Sequence, residues 1–239
     1  MHNGNIIFNG ISSVNFGIIV EQVPNLNRPA RKFKTYEVPG RSGTIIEQQD
    51  AYANIDRQYQ IWFTDPAWRN DYTPARARQI AEWLYNTNGY VRLEDNFEPD
   101  YFRLAYFNGP LNIESTLLMI GKATISFNCR PERFDKEGEQ WFENPTTITN
   151  KYAFSAKPLI KIEGSGNGTF TIQGQTVTIT GMTDYLYIDC ESQDCYRQTV
   201  ENKNNLMTGN FPLLKPGDNT ITKSGGITKI SIQPRFWTL

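Results

Sequence analysis

Short runs rich in β-branched and aromatic residues constrain the fold of this chain more than any other feature. In the first half they include FKTYEV, TIIEQQ, RQYQIWF, YVRLED and KATISFN, which begin at residues 33, 44, 57, 90 and 122. Runs of this length, each ended by Gly, Pro, Asn or Asp, are typical of β-strands. Asn9-Gly10, between two such runs, predicts a tight hairpin turn. We therefore expect a mainly β protein.

One segment has a helical period. Its apolar positions recur at the spacing of one helix face and are Ala77, Ile80, Ala81 and Leu84. Thr73 suits the N-cap, Pro74 the first helical position, and Asn88-Gly89 the end of the helix. Such a helix can bury its apolar face only against a sheet, so the first half is expected to combine a sheet with one helix.

A change of composition divides the chain. Residues 136–150 are polar and acidic, and Asn144-Pro145 within them disfavours regular structure. After them come PLIKIEG, GTFTIQG, QTVTITG and TDYLYIDC, separated by glycine-rich turns. We predict a first domain over 1–135, a linker over 136–150 and a second domain over 151–239 that forms an antiparallel β-sandwich.

Composition and charge exclude several classes of protein. Of the 239 residues, 38% are hydrophobic, which is enough to form hydrophobic cores. The formal net charge is -1, so the chain has no overall positive charge that would attract nucleic acid or anionic membranes. Three cysteines make no disulfide framework, and reduced thiols are expected. The start, MHNGNIIFNG, resembles no secretory signal, and no apolar stretch has the length of a membrane span. We expect assembly in a cytosol.

A search for reactive residues predicts no enzyme. His2 is the only histidine, so neither a Ser-His-Asp nor a Cys-His arrangement has support, and no phosphate-binding glycine loop occurs. We expect no catalytic residue, no metal site and no cofactor. The acidic residues Glu94, Asp95, Glu98 and Asp100 fit a solvated turn better than a pair of hydrolase carboxylates.

Basic and aromatic residues are concentrated in particular segments. Residues 28–41 hold five basic residues and one acidic residue, typical of a charged strand face or exposed arm more than of a nucleic-acid site. Core packing or subunit contact is the preferred role for the aromatic residues around the helix, Trp62, Trp68, Trp83, Tyr85 and Tyr90. The same roles are preferred in the second domain, although a sugar site remains an alternative for Tyr185, Tyr187, Tyr196, Phe236 and Trp237.

Several stretches together resemble the distal tail protein family of long-tailed, non-contractile bacteriophages. They are IIFNGISSVNFGIIV with VPGRSGTI, the Arg57–Phe63 strand with ARQIAEWL, and KATISFNCRPERF. In the second domain they are KPLIKIEGSGNGTFTIQGQTVTI, YLYIDCES, TGNFPLLKPGDNTI and the terminal PRFWTL. Each is weak alone, but they follow the family's order over nearly the whole chain.

The resemblance implies a fold and a role. It implies an N-terminal β-sandwich-like domain with one α-helix and a projecting β-hairpin, and a C-terminal galectin-like antiparallel β-sandwich. It implies a homohexameric ring at the distal end of the virion tail, between the tail tube protein and the tail-tip protein. Receptor-binding parts dock on the second domain in some members, and DNA passes through the lumen. No membrane partner is implied, and assembly takes place in the host cytoplasm.

The resemblance also suggests roles for particular residues. Segment 28–41 is the candidate for the hairpin, so its basic residues are candidate subunit-interface residues: Arg28, Arg31, Lys32, Lys34 and Arg41. Turn-forming roles are assigned to Gly40, Gly43, Pro212, Pro216 and Gly217. Two other hypotheses stay open: a carbohydrate-binding module for host cell-wall saccharide, and a hydrolase that uses carboxylates near residue 95.

Overall fold

The computed structural model describes residues 4–64, 72–116, 120–198 and 201–239. Two compact units make up the chain, the first formed by Met1–Arg133 with Leu239 and the second by Phe134–Thr238. Most of the described residues lie in antiparallel strands, and one α-helix lies among them. The mainly β fold class predicted from the sequence is confirmed.

The first unit consists of strands and one helix, α1 (Tyr72–Tyr85). Its strands are β1 (Ile6–Phe8), β2 (Ile11–Ser12), β3 (Ile18–Val20), β4 (Arg31–Tyr36), β5 (Ile45–Tyr52), β6 (Ile55–Thr64), β7 (Val91–Asp95), β8 (Tyr101–Phe107), β9 (Ile113–Thr116) and β10 (Ile120–Cys129). A further strand, β11 (Arg133–Asp135), spans the boundary between the units.

The main sheet of the first unit curls on itself. Its strands follow the order β2-β1-β7-β8-β10-β6-β3. The backbone N–H of Val20 in β3 donates to the carbonyl of Gly4, just before β1, at 3.0 Å. The two ends of the sheet therefore meet, and its inward side chains enclose one core. The predicted Asn9-Gly10 turn between β1 and β2 is confirmed, with φ of +51° and +76°.

Helix α1 closes this core. Ile80 and Leu84 are fully buried, as the helical spacing predicts. The indole N–H of Trp83 donates to the Phe8 carbonyl at 3.2 Å, which fixes the helix to β1. The helix already includes Thr73, the predicted N-cap, whose side chain lies outside the described residues. No helix in the described ranges has the length and hydropathy to cross a membrane.

The second unit is built almost entirely of strands. They are β12 (Phe142–Glu143), β13 (Thr147–Asn150), β14 (Leu159–Ile172), β15 (Gln175–Met182), β16 (Tyr185–Asp189), β17 (Asp194–Arg197), β18 (Glu201–Asn202), β19 (Met207–Thr208), β20 (Gly217–Gln233) and β21 (Trp237–Thr238). The longest two, β14 and β20, pair with each other and run through the centre of the unit.

A glycine-rich bend folds this sheet into two layers. The register of β14 and β20 shifts between Glu163 and Gly168. Before the shift β14 pairs with β16, and beyond it with β15. Side chains from both halves, such as Ile160 and Phe170, belong to one buried cluster. The unit is therefore an antiparallel β-sandwich, and its galectin-like character stays a prediction.

Residues 136–150 differ from an extended linker. They contribute a 3-10 turn over Lys136–Glu139 and the strands β12 and β13. Phe142 pairs with Ile232 of β20, and Ile148 is buried in the sandwich core. Apolar side chains within this polar segment account for its packing in the second unit. The domain boundaries drawn from the sequence stay a prediction.

Candidate functional site

The hairpin of β4 and β5 is a candidate site because, in the part of the chain that the structure describes, its strands pair only with each other. Its cross-strand pairs are Phe33 with Gln48, Lys34 with Glu47, Thr35 with Ile46, and Tyr36 with Ile45. Side chains alternate along a strand, so Phe33 and Ile46 share one face while Lys34 and Tyr36 share the other. The Tyr36 hydroxyl donates to Glu47 Oε2 at 2.7 Å on that second face.

Apolar side chains of this hairpin face solvent. Phe33 is 56% exposed and Ile46 is 62% exposed, and Tyr36, Val38 and Ile45 are exposed as well. Single exposed apolar residues are common on any protein, but several on one short hairpin are typical of a contact surface. A two-stranded hairpin is marginally stable in water by itself, so contact with another chain would also stabilise it.

The five basic residues predicted at an interface are all exposed. Arg28 already has a partner in its own chain, since its guanidinium donates to the Leu239 carbonyl at 2.7 Å. Arg31 lies over the ring of Tyr52, 5.7 Å from its centroid. Exposed positions on the hairpin and its loop are occupied by Lys32, Lys34 and Arg41. Their role at an interface stays a prediction.

The glycines assigned to the hairpin loop adopt a backbone conformation that other residues rarely take. Gly40 and Gly43 have φ of +81° and +82° and lie between β4 and β5. The backbone N–H of Arg41 donates to the Val38 carbonyl at 3.1 Å, which tightens this loop. A side chain at either glycine would strain the backbone even though the surrounding space is open.

The segment with Pro212, Pro216 and Gly217 leads into β20. The buried side chain of Asn219 holds this segment in place: its amide donates to the Gly217 carbonyl at 2.9 Å and to the Lys215 carbonyl at 2.8 Å. Gly217 has φ of +86°. These contacts lie within one unit and hold a turn, and the turn-forming roles given to the prolines and the glycine stay predictions.

A second feature of the first unit is a buried cluster of opposite charges. Arg57 of β6 donates through Nε and Nη2 to Asp95 Oδ2, at 3.0 and 2.7 Å. The Tyr59 hydroxyl donates to the same oxygen at 2.6 Å. The other carboxylate oxygen of Asp95 accepts the backbone N–H groups of Phe97 and Glu98, both at 3.0 Å. Both oxygens of Asp95 are therefore fully engaged.

Glu98 extends this cluster toward two more arginines. Its Oε2 lies 3.1 Å from Arg57 Nη2 and 3.4 Å from Arg103 Nη2, and its Oε1 accepts from Arg133. Three guanidinium groups thus surround two carboxylates inside the curled sheet. Removing one partner from such a group leaves a buried charge uncompensated, so the cluster constrains which residues can stand there.

The surroundings shift the pKa values in this cluster. Burial disfavours charge on Arg57, but Tyr59 and Asp95 outweigh it and raise the pKa of the guanidinium. Burial raises the pKa of the Tyr59 hydroxyl well above its ordinary range. Burial also favours the neutral form of Glu98, yet the charges of Arg57 and Arg103 lower its pKa below the ordinary 4.5. Glu98 is therefore held ionised.

The expectation of a solvated acidic turn is wrong for Asp95 and Glu98, whereas Asp100 lies in a turn and is exposed. Asp95 is buried and Glu98 is largely covered, because Arg57 reaches them across the inside of the curled sheet. The missed signal is the alternation in β6, where Arg57 stands in phase with buried Tyr59 and Ile61. Carboxylates bound by arginines support a structural role and give no separated acid and base for hydrolysis.

Other predicted reactive groups have ordinary surroundings. No group of three or more His, Cys, Asp or Glu side chains that could hold a metal occurs among the described residues, and His2 lies outside them. All three cysteines are buried free thiols. Burial raises the pKa of Cys129 and of Cys190 to about 12 and that of Cys195 to about 11, so these thiols are unreactive.

The aromatic residues singled out in the sequence have different roles. Trp83 belongs to the first core, and Tyr85 packs edge-on to Phe107 with its hydroxyl donating to the Gly109 carbonyl. Trp62 is half-buried and Tyr90 exposed, while Trp68 lies outside the described residues. In the second unit Phe236 is buried and Trp237 stacks on Phe154 at 4.6 Å. Half-exposed positions on a sheet face are held by Tyr185, Tyr187 and Tyr196.

An open groove of about 370 Å³ lies on the first unit beside β6 and β10. Gln60, Thr124 and Asn112 line it with polar groups, and Lys122 at its rim lies 3.7 Å from Glu21. The charges at the groove are thus paired with each other. We assign no ligand to it.

The described fold consists of a curled antiparallel sheet closed by one helix, a hairpin that pairs only with itself in the described residues, and a following β-sandwich. The chain is similar over 99% of its length, and 99% of the other chain, to the crystal structure of the SPP1 Dit (gp 19.1) protein, with a TM-score of 0.77. That protein is described as a paradigm of the hub adsorption apparatus in phages that infect Gram-positive bacteria. Sequence identity is 12%, so the likeness is one of fold, and at that level the resemblance found in the sequence is confirmed.

Comparison with family models and with curated protein sequences does not detect this likeness. No protein-family model matches the chain, and no curated protein sequence matches it. Packing preserves a fold long after the identities of surface residues have changed, which agrees with 12% identity over a shared architecture.

Proposed function

We propose that this chain is a structural hub at the distal end of a phage tail, where it joins the tail tube to the adsorption apparatus. The observation that carries the proposal is the likeness of fold to the SPP1 Dit hub protein over 99% of both chains. A match that includes the helix, the hairpin and the sandwich in one order supports a shared architectural role more than a match of one common domain does. The proposed role is assembly, without catalysis.

The hub is proposed to be a homohexameric ring. Identical chains that meet through two different surfaces form a ring when the rotation closes. The apolar side chains of the β4–β5 hairpin support such a contact, since Phe33 and Ile46 lie on one face and are both more than half exposed. The hairpin edges also carry backbone groups that a neighbouring strand can pair with.

The other partners follow from this position. The ring would stack on the tail tube protein with one face and meet the tail-tip protein with the other, and the second unit would support receptor-binding parts. The protein would then belong to the virion tail after assembly in the host cytoplasm. A formal net charge of -1 suits a lumen through which DNA passes, because a strongly basic lining would retain it.

Light scattering during size-exclusion chromatography tests the role of the hairpin. The wild-type chain is expected at six times 27.4 kDa, the mass of one chain. The double variant Phe33→Ser with Ile46→Ser is expected at the mass of one chain, with an unchanged circular dichroism spectrum. The matched control is Val14→Ser, which removes a similarly exposed apolar side chain outside the hairpin and should leave the mass at six chains.

Two results would contradict the hairpin contact. One is a double variant that assembles as well as the wild type. The other is a wild-type chain that stays at 27.4 kDa at every concentration up to the solubility limit, both alone and with tail tubes.

A further inference from the structure

Four aromatic rings form a connected group on one face of the second unit. Tyr187 of β16 lies opposite Tyr196 of β17, and their rings stack at 5.5 Å with 20° between planes. Tyr185, two residues earlier, meets Tyr187 edge-on at 5.8 Å. The indole of Trp141, which precedes edge strand β12, lies 6.4 Å from the Tyr187 ring. Since β20 and β14 separate β12 from β16, Trp141 reaches across both strands.

These rings lie on the solvent side of the sheet. In β16 the side chains alternate, so that Leu186 and Ile188 fill the sandwich core while Tyr185 and Tyr187 remain half-exposed. Trp141 is 41% exposed. The core is therefore complete without the rings, and a connected group of large aromatic side chains in contact with water is typical of a binding surface.

The charges around the rings are already paired. Lys161 bonds Glu163 at 2.6 Å, and both Lys161 and Arg197 lie over the Tyr185 ring, at 5.2 and 5.5 Å. Arg197 also pairs with Asp184 at 3.3 Å. Because these cations have carboxylate partners beside them, a nucleic acid or an acidic peptide would have to compete for them. The surface suits a neutral ligand.

We propose that this aromatic face, defined by Trp141, Tyr185, Tyr187 and Tyr196, binds a neutral oligosaccharide. A pyranose presents C–H groups on its faces, which can pack on aromatic side chains. It presents hydroxyls at its rim, which can bond the fixed donors and acceptors around those side chains. Trp141 offers the most accessible ring, and the ion pair of Lys161 with Glu163 offers both a donor and an acceptor beside the Tyr185 ring. Phe236 and Trp237 are excluded from this face because the first is buried and the second stacks on Phe154.

Isothermal titration calorimetry of the full chain tests the proposal, with cellohexaose, maltohexaose and chitohexaose as probes. At least one probe is expected to bind with saturation. Trp141→Ala and Tyr187→Ala are expected to weaken that binding by about tenfold or more, the loss of one stacking partner. The matched control is Tyr85→Ala, which removes an exposed tyrosine of the first unit and should change affinity less than about twofold.

Oligosaccharide binding is tested independently of whether the chain assembles into a hexamer. Absence of binding to all three probes at millimolar concentration would overturn the proposal, as would binding that Trp141→Ala and Tyr187→Ala leave unchanged. Loss of the hexamer in Trp141→Ala would assign this face to contact between copies instead, and would overturn it as well. The hub proposal fails by a different result, a wild-type chain that never assembles.

Discussion

Arg57 is 2% exposed, yet it carries a charge that its surroundings hold in place. Its guanidinium binds Asp95 through two nitrogens and lies 3.1 Å from Glu98. A buried ion pair of this kind adds little net stability compared with an apolar replacement of the same shape. It does penalise the loss of a single partner, because the charge left behind has no water to solvate it.

Asp95→Asn is expected to destabilise the first unit by about 3 kcal/mol, at the lower end for a broken buried pair because Glu98 still faces Arg57. Urea denaturation followed by circular dichroism measures this change. The control Glu82→Gln breaks the exposed pair with Arg78 on helix α1 and should cost less than about 0.5 kcal/mol. Equal costs for the two variants would mean that the cluster is not desolvated.

The low pKa of Glu98 predicts acid sensitivity. A carboxyl group whose pKa is lower in the folded state contributes stability above its ordinary pKa of 4.5, and that contribution is lost as the pH falls through the folded value. The free-energy difference between wild type and Glu98→Gln should therefore be constant near neutral pH and shrink below pH 4.5. Urea titrations of both proteins from neutral to acidic pH measure it. A difference that grows on acidification would contradict the assigned direction.

The elements of the second unit depend on close backbone contact at the bend of β14 and β20. A Cβ atom on Gly226 would lie 1.8 Å from the Ser165 carbonyl oxygen, and one on Gly164 would lie 1.9 Å from the Gly226 oxygen. Only glycine at both positions lets the two strands stay paired while the sheet folds over. The bend therefore fixes where one layer of the sandwich becomes the other.

Gly226→Ala is expected to destabilise the second unit by about 3 kcal/mol or more, because the clash is with backbone and cannot be relieved by a rotamer. Thermal denaturation by differential scanning calorimetry measures the effect. The control Gly109→Ala adds a methyl group with no neighbour closer than 3.9 Å and should be nearly neutral. A neutral Gly226→Ala would mean that the two strands separate at the bend.

Helices and turns could be predicted from the sequence where a local pattern alone determines the structure. Ile80 and Leu84 repeat at helical spacing and are buried, and Asn9-Gly10 forms the expected hairpin turn. Prediction from the sequence fails where residues far apart in the chain come into contact. Arg57 and Asp95 lie 38 residues apart and in strands that are not neighbours in the sheet, so their pairing depends on how far the sheet curls. The local composition near residue 95 therefore predicted that these acidic side chains are exposed to solvent.

At the scale of the whole molecule, the sequence and the fold contribute different information. The order of motifs led to the distal tail protein family, and the fold agrees with a hub protein at 12% identity. Neither periodicity nor spacing identifies contacts between copies, because interface side chains resemble ordinary surface residues. The exposed Phe33 and Ile46 gain meaning only once the hairpin is seen to pair with nothing else in the described part of the chain.

Electron microscopy of the purified chain, alone and after mixing with tail tubes, tests the hub proposal most directly. We predict annular particles with sixfold symmetry and a central opening, seated on the ends of tubes where tubes are present. Single compact particles under both conditions, with bare tube ends, would contradict it.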